Sequence, residues 1–425
     1  MSMMVEHLTL PYGRDGGQLL TISSLNYAGT LVHREPPPGV EAGDLAAALA
    51  RPVACRPLQD IVHPGERVAI VTSDVTRPCP TKIILPPILK ELQLAGVNSQ
   101  DISIILATGN HRSPTEDEKR YLLGEQVYDH YRSVDAAAGD MVYLGQTSRC
   151  TPVEVFRPVV EADRRILIGN VEYHYFAGYS GGAKAIMPGC ASPRSIQANH
   201  RLMVDPAARA GSIATNPVRQ DIDEVLNFLP VDFIVNVVLD EDKNILAAFV
   251  GHPLEAHRQA ARYLDAIYQV EIKEQADIVI ASAGGYPKDL NLYQAQKALD
   301  NARRAVRPGG VLILVAECPE GLGDATFARW IAAASQPRDL IDRIQVGFEL
   351  GGHKAAAIAM AVEDIQVYLV SSLPGAIVRQ CFLEPCTDLV TAYQKALAAM
   401  GPAARVLVIP QAGSVLPRLA TEVTA

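Results

Sequence analysis

The sequence is short of several things, and each shortage removes a class of protein. It has no block of basic residues. Its 38 Lys and Arg face 47 Asp and Glu, a net charge of -9, which argues against nucleic acid as its main partner. It has no CxxC pair. The seven cysteines, at positions 55, 79, 150, 190, 318, 381 and 386, are scattered and odd in number, so they read as reduced thiols without a structural zinc. No HxxxH or His/Cys cluster offers a protein-only metal site. The longest apolar runs, such as 311–316, have the length of a strand and cannot span a bilayer. The opening residues MSMMVEHLTL carry an acidic side chain and no apolar h-region, unlike a signal peptide. Internal repeats and low-complexity segments are also missing. What is left is a soluble, cytoplasmic protein with neither nucleic acid nor membrane as partner.

What is present is an alternation of strands and helices. At 425 residues with 48% apolar and 20% charged content, the chain is too long for one core, and two domains are expected. Residues 8–13 and 18–22 read as short strands around Asp15-Gly16-Gly17. The run Pro36-Pro37-Pro38-Gly39 reads as an extended connector, followed by a helix from about 41 to 50. Strands at 67–71, 102–107, 165–169 and 232–238 then alternate with helices at 80–96, 114–123, 192–203, 217–228 and 253–268. A second series follows, with strands at 276–281, 311–315, 365–369 and 406–410. This pattern predicts an α/β fold of two doubly wound, Rossmann-like domains, 1–270 and 271–425, facing a shared cleft. Ligands of such sheets bind beyond the carboxyl ends of the strands.

Four strands run into unusual polar loops. Strand 67–71 leads to Ser73-Asp74-Val75-Thr76-Arg77-Pro78, and strand 102–107 to Thr108-Gly109-Asn110-His111-Arg112. Strand 165–169 leads to a stretch holding His174, Gly178-Tyr179-Ser180-Gly181-Gly182, Lys184 and His200. Strand 276–281 leads to Gly284-Gly285-Tyr286-Pro287-Lys288-Asp289. The Gly-x-Ser-x-Gly pattern at Ser180 matches a nucleophile elbow, but that motif needs the serine directly after a strand. The Lys184 segment has Ala on both sides where a Walker A loop needs Gly and Ser/Thr. Its glycines, Gly181 and Gly182, still suit an anion or phosphate. His111 has no obvious structural duty beside an expected capping box, Ser113 to Glu116. His174 fits either a proton shuttle or a satisfied buried histidine. Lys184, among Gly, Ala and Ile, fits either a nucleophilic amine or a phosphate partner. Arg77 and Lys297 suit carboxylate binding, and Asp74 could orient Arg77 or a ligand hydroxyl. All of these also admit ordinary surface roles. A serine hydrolase using Ser180 and a non-catalytic nucleotide- or cofactor-binding protein both stay open at this point.

Five separated segments narrow the choice. SDVTRP (73–78), ATGNHR (107–112), EYHYFAGYSGGAKAIMPG (172–189), the histidine at 200, and GGYPKDLNLYQAQKALDNA (284–302) together resemble the nickel-dependent lactate racemase family, in order over most of the chain. The resemblance implies a racemase or epimerase inverting C2 of a 2-hydroxy acid. Its cofactor would be a nickel-pincer nucleotide, a pyridinium mononucleotide with two sulfur-bearing arms, covalently held by Lys184. His200 would complete the nickel site. His111 and His174 would form the acid/base pair, with the C2 hydride passing to the cofactor and back. Arg77 and Lys297 would orient the substrate. Asp74, Thr76, Ser180, Gly181, Gly182 and Gln294 would line the cofactor or site. Cofactor-biosynthesis proteins would be partners. Tyr175, Phe176 and Tyr293 are nominated as pocket walls.

Overall fold

The structure, a computed structural model, describes residues 5–37 and 44–421. The chain forms two compact units. One is contiguous, Pro36–Ala266; the other joins the chain through Glu35 to the chain from Ile267 onward. The expected first domain, 1–270, therefore gives up its opening residues to the second. Tyr27–Thr30 is a parallel edge strand on Val406–Ile409, a pairing with no local signal in sequence.

In the contiguous unit, Val68–Ser73, Ile102–Ala107 and Arg164–Asn170 are runs of aliphatic residues buried almost throughout. They lack a period-two alternation because both faces of a parallel sheet are covered. The six-stranded order is Ile245–Gly251, Phe233–Leu239, Arg164–Asn170, Val68–Ser73, Ile102–Ala107, Arg132–Asp135. All neighbours are parallel except Ile245–Gly251, which runs antiparallel at one edge and is absent from the sequence expectation. Helix Thr81–Leu94 buries Ile84, Leu85, Ile88, Leu89 and Leu92 against one face, the i, i+4, i+8 spacing of an amphipathic helix. Register places Ser73 beside Ala107 and Val71 beside Leu167. The loops after these three strands thus leave from the same edge of the sheet.

The other unit has a six-stranded, all-parallel sheet in the order Glu384–Cys386, Gln366–Val370, Val306–Val315, Ala276–Ser282, Val406–Ile409, Tyr27–Thr30. The hairpin Val5–Tyr12/Gly16–Ser23 packs Leu10, Leu20 and Ile22 into that unit's core beside Ile278, Ile280 and Ile313. The expected helix near 41 begins at Leu45, capped by Asp44; positions 38–43, including Pro38 and Gly39 of the connector, lie outside the described residues. The capping box also moves. It forms between Thr115 and Glu118, not Ser113 and Glu116, because the Ser113 hydroxyl donates to Asp135 instead (2.8 Å).

Candidate active site

The loop after Val68–Ser73 meets the loop after Ile102–Ala107 through one histidine. Nδ1–H of His111 donates to Oδ2 of Asp74 at 2.7 Å. Oδ1 of Asp74 accepts from the backbone and hydroxyl of Thr76 at 3.1 and 2.6 Å, and Thr76 Oγ1 also lies 3.2 Å from His111 Nδ1. Asp74 is buried, whereas His111 keeps about a quarter of its side chain exposed. Burial alone would raise the Asp74 carboxyl; hydrogen bonds from His111 and Thr76 outweigh it and hold the group below its ordinary value. A carboxylate on Nδ1 fixes that proton and leaves the ring's lone pair on Nε2. Asp74 and Thr76 thus stand behind His111.

The glycine-rich loop is fixed by backbone geometry. Gly178 has φ +78°, and a Cβ there would lie 2.0 Å from the carbonyl oxygen of Ser212. Gly181 has φ +75°, and its Cβ would meet Asn236 Oδ1 and Val171 at 2.8 Å; that same Asn236 oxygen accepts the Gly182 N–H at 2.9 Å. Gly178→Ala should therefore cost at least ~2 kcal/mol, from the left-handed conformation plus a displaced backbone. Urea denaturation of the full chain measures this, and an unchanged midpoint would mean the loop yields freely.

Ser180 is held as a structural hydroxyl. Its Oγ donates to the Asn170 carbonyl (2.8 Å) and accepts the Glu172 N–H (2.9 Å). His257 reaches the same residue, but at its carbonyl: Nε2–H donates to Ser180 O at 2.8 Å, while Nδ1 accepts from Arg258. Among the described residues no histidine bonds Oγ, and a nucleophile-elbow geometry is not formed there.

Lys184 lies in the short 3-10 turn Gly182–Ala185 that follows. Burial, then the charges of Arg219 and Arg77, hold its amine well below the ordinary lysine value; Glu172 opposes them. His174 is likewise held well below its ordinary value, by burial first and then by Lys184, Arg77, His200 and Arg219. The charges of Lys184, Arg77 and His200 thus all act on His174. Phe176 touches both histidines edge-on, with centroids 4.5 Å from His174 and 4.9 Å from His200. Nδ1 of His174 accepts the Ala177 N–H at 3.3 Å. His200, the last residue of helix Pro193–His200, is buried, with Nδ1 2.9 Å from Asn199 Oδ1. Arg77 is exposed, its backbone N–H on Asp74 O.

Lys297 and Gln294 belong to the other unit, on helix Leu292–Ala302, which Asn291 caps. Gln294 is exposed and Lys297 partly so. Tyr293, on the same turn, has the Lys354 ammonium 4.1 Å from its ring centroid and its carbonyl bonded by Lys354 Nζ at 2.6 Å.

Sequence reasoning missed Arg219, which is fully buried. It donates to the carbonyls of Ala177 (3.3 Å) and Tyr179, and to Asp223, tying the glycine-rich loop to helix Pro217–Glu224. In sequence, Arg219 and Asp223 look like an ordinary i, i+4 surface pair. Among the described residues no group of three or more His, Cys, Asp or Glu could hold a metal ion by itself, and no helix is long and apolar enough to cross a membrane.

Residues 12–211 match the family described as lactate racemase N-terminal domain, and residues 271–416 that described as lactate racemase C-terminal domain. The chain is similar to the lactate racemase of Thermoanaerobacterium thermosaccharolyticum, with 34% identity over 87% of this chain and 89% of that one. It is similar to the lactate racemase of Lactiplantibacillus plantarum at 32% identity, over 92% and 94%. The solved structure of the Thermoanaerobacterium lactate racemase apoprotein superposes with a TM-score of 0.87 at 32% identity, over 97% of this chain and all of that one. A Thermotoga maritima crystal structure shares the fold at 18% identity, with a TM-score of 0.60 over 88% of this chain and 97% of that one.

Proposed function

The chain belongs to the lactate racemase family, and on that premise we propose that it inverts C2 of a lactate-like 2-hydroxy acid with a nickel-pincer nucleotide tethered to Lys184. The observation that carries this reading is the company Lys184 keeps: a buried amine whose charge acts on His174, in a loop that leaves the same sheet edge as the loop of the Asp74-bound His111.

The donor set fits such a group. The described residues offer no metal site of their own, so a metal needs donors brought by a ligand, and His200 would be the protein's contribution. Burial favours the uncharged Lys184 amine that a covalent link requires. The resemblance implies that Gly181 and Gly182 border the cofactor; the Gly182 N–H itself is already given to Asn236 Oδ1. When bound, the nickel-pincer nucleotide supplies a reversible acceptor for the C2 hydride.

The chain's own residues supply the protons and the grip. His111 takes the substrate hydroxyl proton at Nε2, and Asp74, already on Nδ1, supports the cation that forms. Inversion needs a second group to give a proton, and His174 fills that role. Burial and neighbouring cations disfavour its charged form in the free chain; the carboxylate of a bound substrate offsets those cations and would let His174 hold the proton that it gives. In the reverse direction the two exchange roles. Arg77 holds the carboxylate so that the planar keto acid can turn without leaving; Lys297 keeps the orienting role, and Gln294 the cofactor- or site-lining one, that the resemblance implies.

The test is to incubate the nickel-loaded chain with single enantiomers of lactate, malate, an aromatic 2-hydroxy acid and a sugar acid in D₂O. The expected result is inversion of at least one, with the C2 hydrogen retained. Inversion with deuterium entering C2 would replace hydride transfer by proton abstraction. No inversion of any of them by protein carrying both nickel and adduct would end the reading.

A further inference from the structure

Behind His200 lies a buried hydrogen-bond chain whose direction is forced from its far end. Thr147, Asp221, Asn199 and His200 are all buried, and they come from three separate parts of the contiguous unit. The Asn199 side-chain nitrogen faces two oxygens, Asp221 Oδ2 at 2.7 Å and the Val218 carbonyl at 3.3 Å. A carbonyl can only accept, so the amide NH₂ must point that way whatever the charge on Asp221. The other Asp221 oxygen accepts from the Thr147 hydroxyl at 2.5 Å, and that hydroxyl in turn accepts the Thr151 N–H at 3.1 Å. With its nitrogen so committed, Asn199 turns its Oδ1 to His200 Nδ1 at 2.9 Å. An amide oxygen cannot donate, so Nδ1 must carry the ring proton, and the lone pair falls on Nε2.

We propose that Asn199 and Asp221 are positioning residues that lock His200 in the Nδ1–H tautomer, so that Nε2 is presented to the metal as a neutral ligand. The proposal rests on the reading of His200 as the nickel ligand. Outer partners that fix a ligating imidazole in this way also hold its ring orientation, and their loss typically lowers metal affinity about 10–100-fold.

The first measurement needs no metal. Two-bond nitrogen–proton correlation spectra of the full chain, labelled with ¹⁵N-histidine and purified without cofactor, separate the two tautomers; His200→Ala identifies the signal. The wild type is expected to show the Nδ1–H pattern and Asn199→Ala to lose it. Asn199→Ala orphans a buried carboxylate, which threatens the fold. The double variant Asn199→Leu/Asp221→Leu removes the carboxylate together with its amide partner, leaving the Thr147 hydroxyl without its acceptor, which costs less than an orphaned carboxylate, and should lose the pattern too. The second measurement is the rate at which the nickel-loaded protein gives up nickel to a chelator, with the Lys184 adduct checked by intact mass. It should rise about 10–100-fold in either variant. An unchanged tautomer overturns the proposal. So does an unchanged release rate in a variant whose tautomer has changed, provided His200→Ala releases nickel quickly. If His200→Ala itself keeps nickel at the wild-type rate, the ligand assignment fails, and the tautomer result still decides the hydrogen-bond chain.

Discussion

Alanine at His111 or at His174 is expected to slow inversion of either enantiomer by about 10²–10⁴-fold, with the Lys184 adduct and bound nickel unchanged by mass and metal analysis. Each histidine is needed because inversion requires a proton to leave the substrate at one position and return at another. The two sites are unlike. His111 leans on the Asp74 carboxylate at 2.7 Å, whereas His174 has a backbone N–H on Nδ1 and cations around it. Asp74→Asn tests the first directly. Its amide can turn an NH₂ toward Nδ1 and move the ring proton to Nε2, where a base is required, so turnover should fall on the order of 10²-fold or more. The variant also has a stability signature. The Asp74 carboxyl is held below its ordinary value, so its contribution is present above the unfolded carboxylate range and is lost as pH falls through the folded value. The stability gap between wild type and Asp74→Asn should therefore close in acid. Near-wild-type turnover in either histidine variant would sink the two-histidine scheme.

Lys184→Met should produce protein with no adduct in its intact mass and no measurable turnover, yet more stable than the wild-type chain purified without cofactor. Burial, Arg219 and Arg77 hold the Lys184 amine well below the ordinary value. The unfolded chain has no such restraint and binds the proton more tightly. Between the folded and unfolded values the unfolded state carries more protons, so wild-type stability declines as pH falls from about 10.4 toward the folded value. Methionine fills similar space without that penalty. A gain of ~1 kcal/mol would appear as about 2–4 °C in Tm for a domain of this size, and the difference should shrink toward pH 10. An adduct that persisted in the methionine variant would remove the tether. A methionine variant less stable than wild type at neutral pH would show that the amine is not strained by its burial.

The loops were legible in sequence because their residue types have no packing use. His111, His174, Lys184 and Arg77 each follow a buried aliphatic strand, and three parallel neighbours in register bring their loops to one edge. What stayed hidden was defined by partners. Asn199 and Asp221 look like ordinary helix residues until Val218 and His200 close around them, and Arg219 looks like a surface cation until it reaches the carbonyls of Ala177 and Tyr179. Ser180 shows the reverse. Its motif suggested chemistry, but its hydroxyl is committed to Asn170 and Glu172. The capping box misled because two overlapping Ser/Thr-x-x-Glu patterns compete and only the neighbour Asp135 decides between them.

The pairing of Tyr27–Thr30 with Val406–Ile409 sets a schedule for synthesis. A ribosome releases the contiguous unit, Pro36–Ala266, with all of its sheet partners in hand, and it can fold while the rest is still being made. The other sheet has to wait. Its first strand emerges early and stays an open edge until one of the last strands leaves the tunnel. During that interval the protein depends on a short, four-residue edge not finding another partner. A chain stopped short of Val406 would leave both ends of that unit without their match.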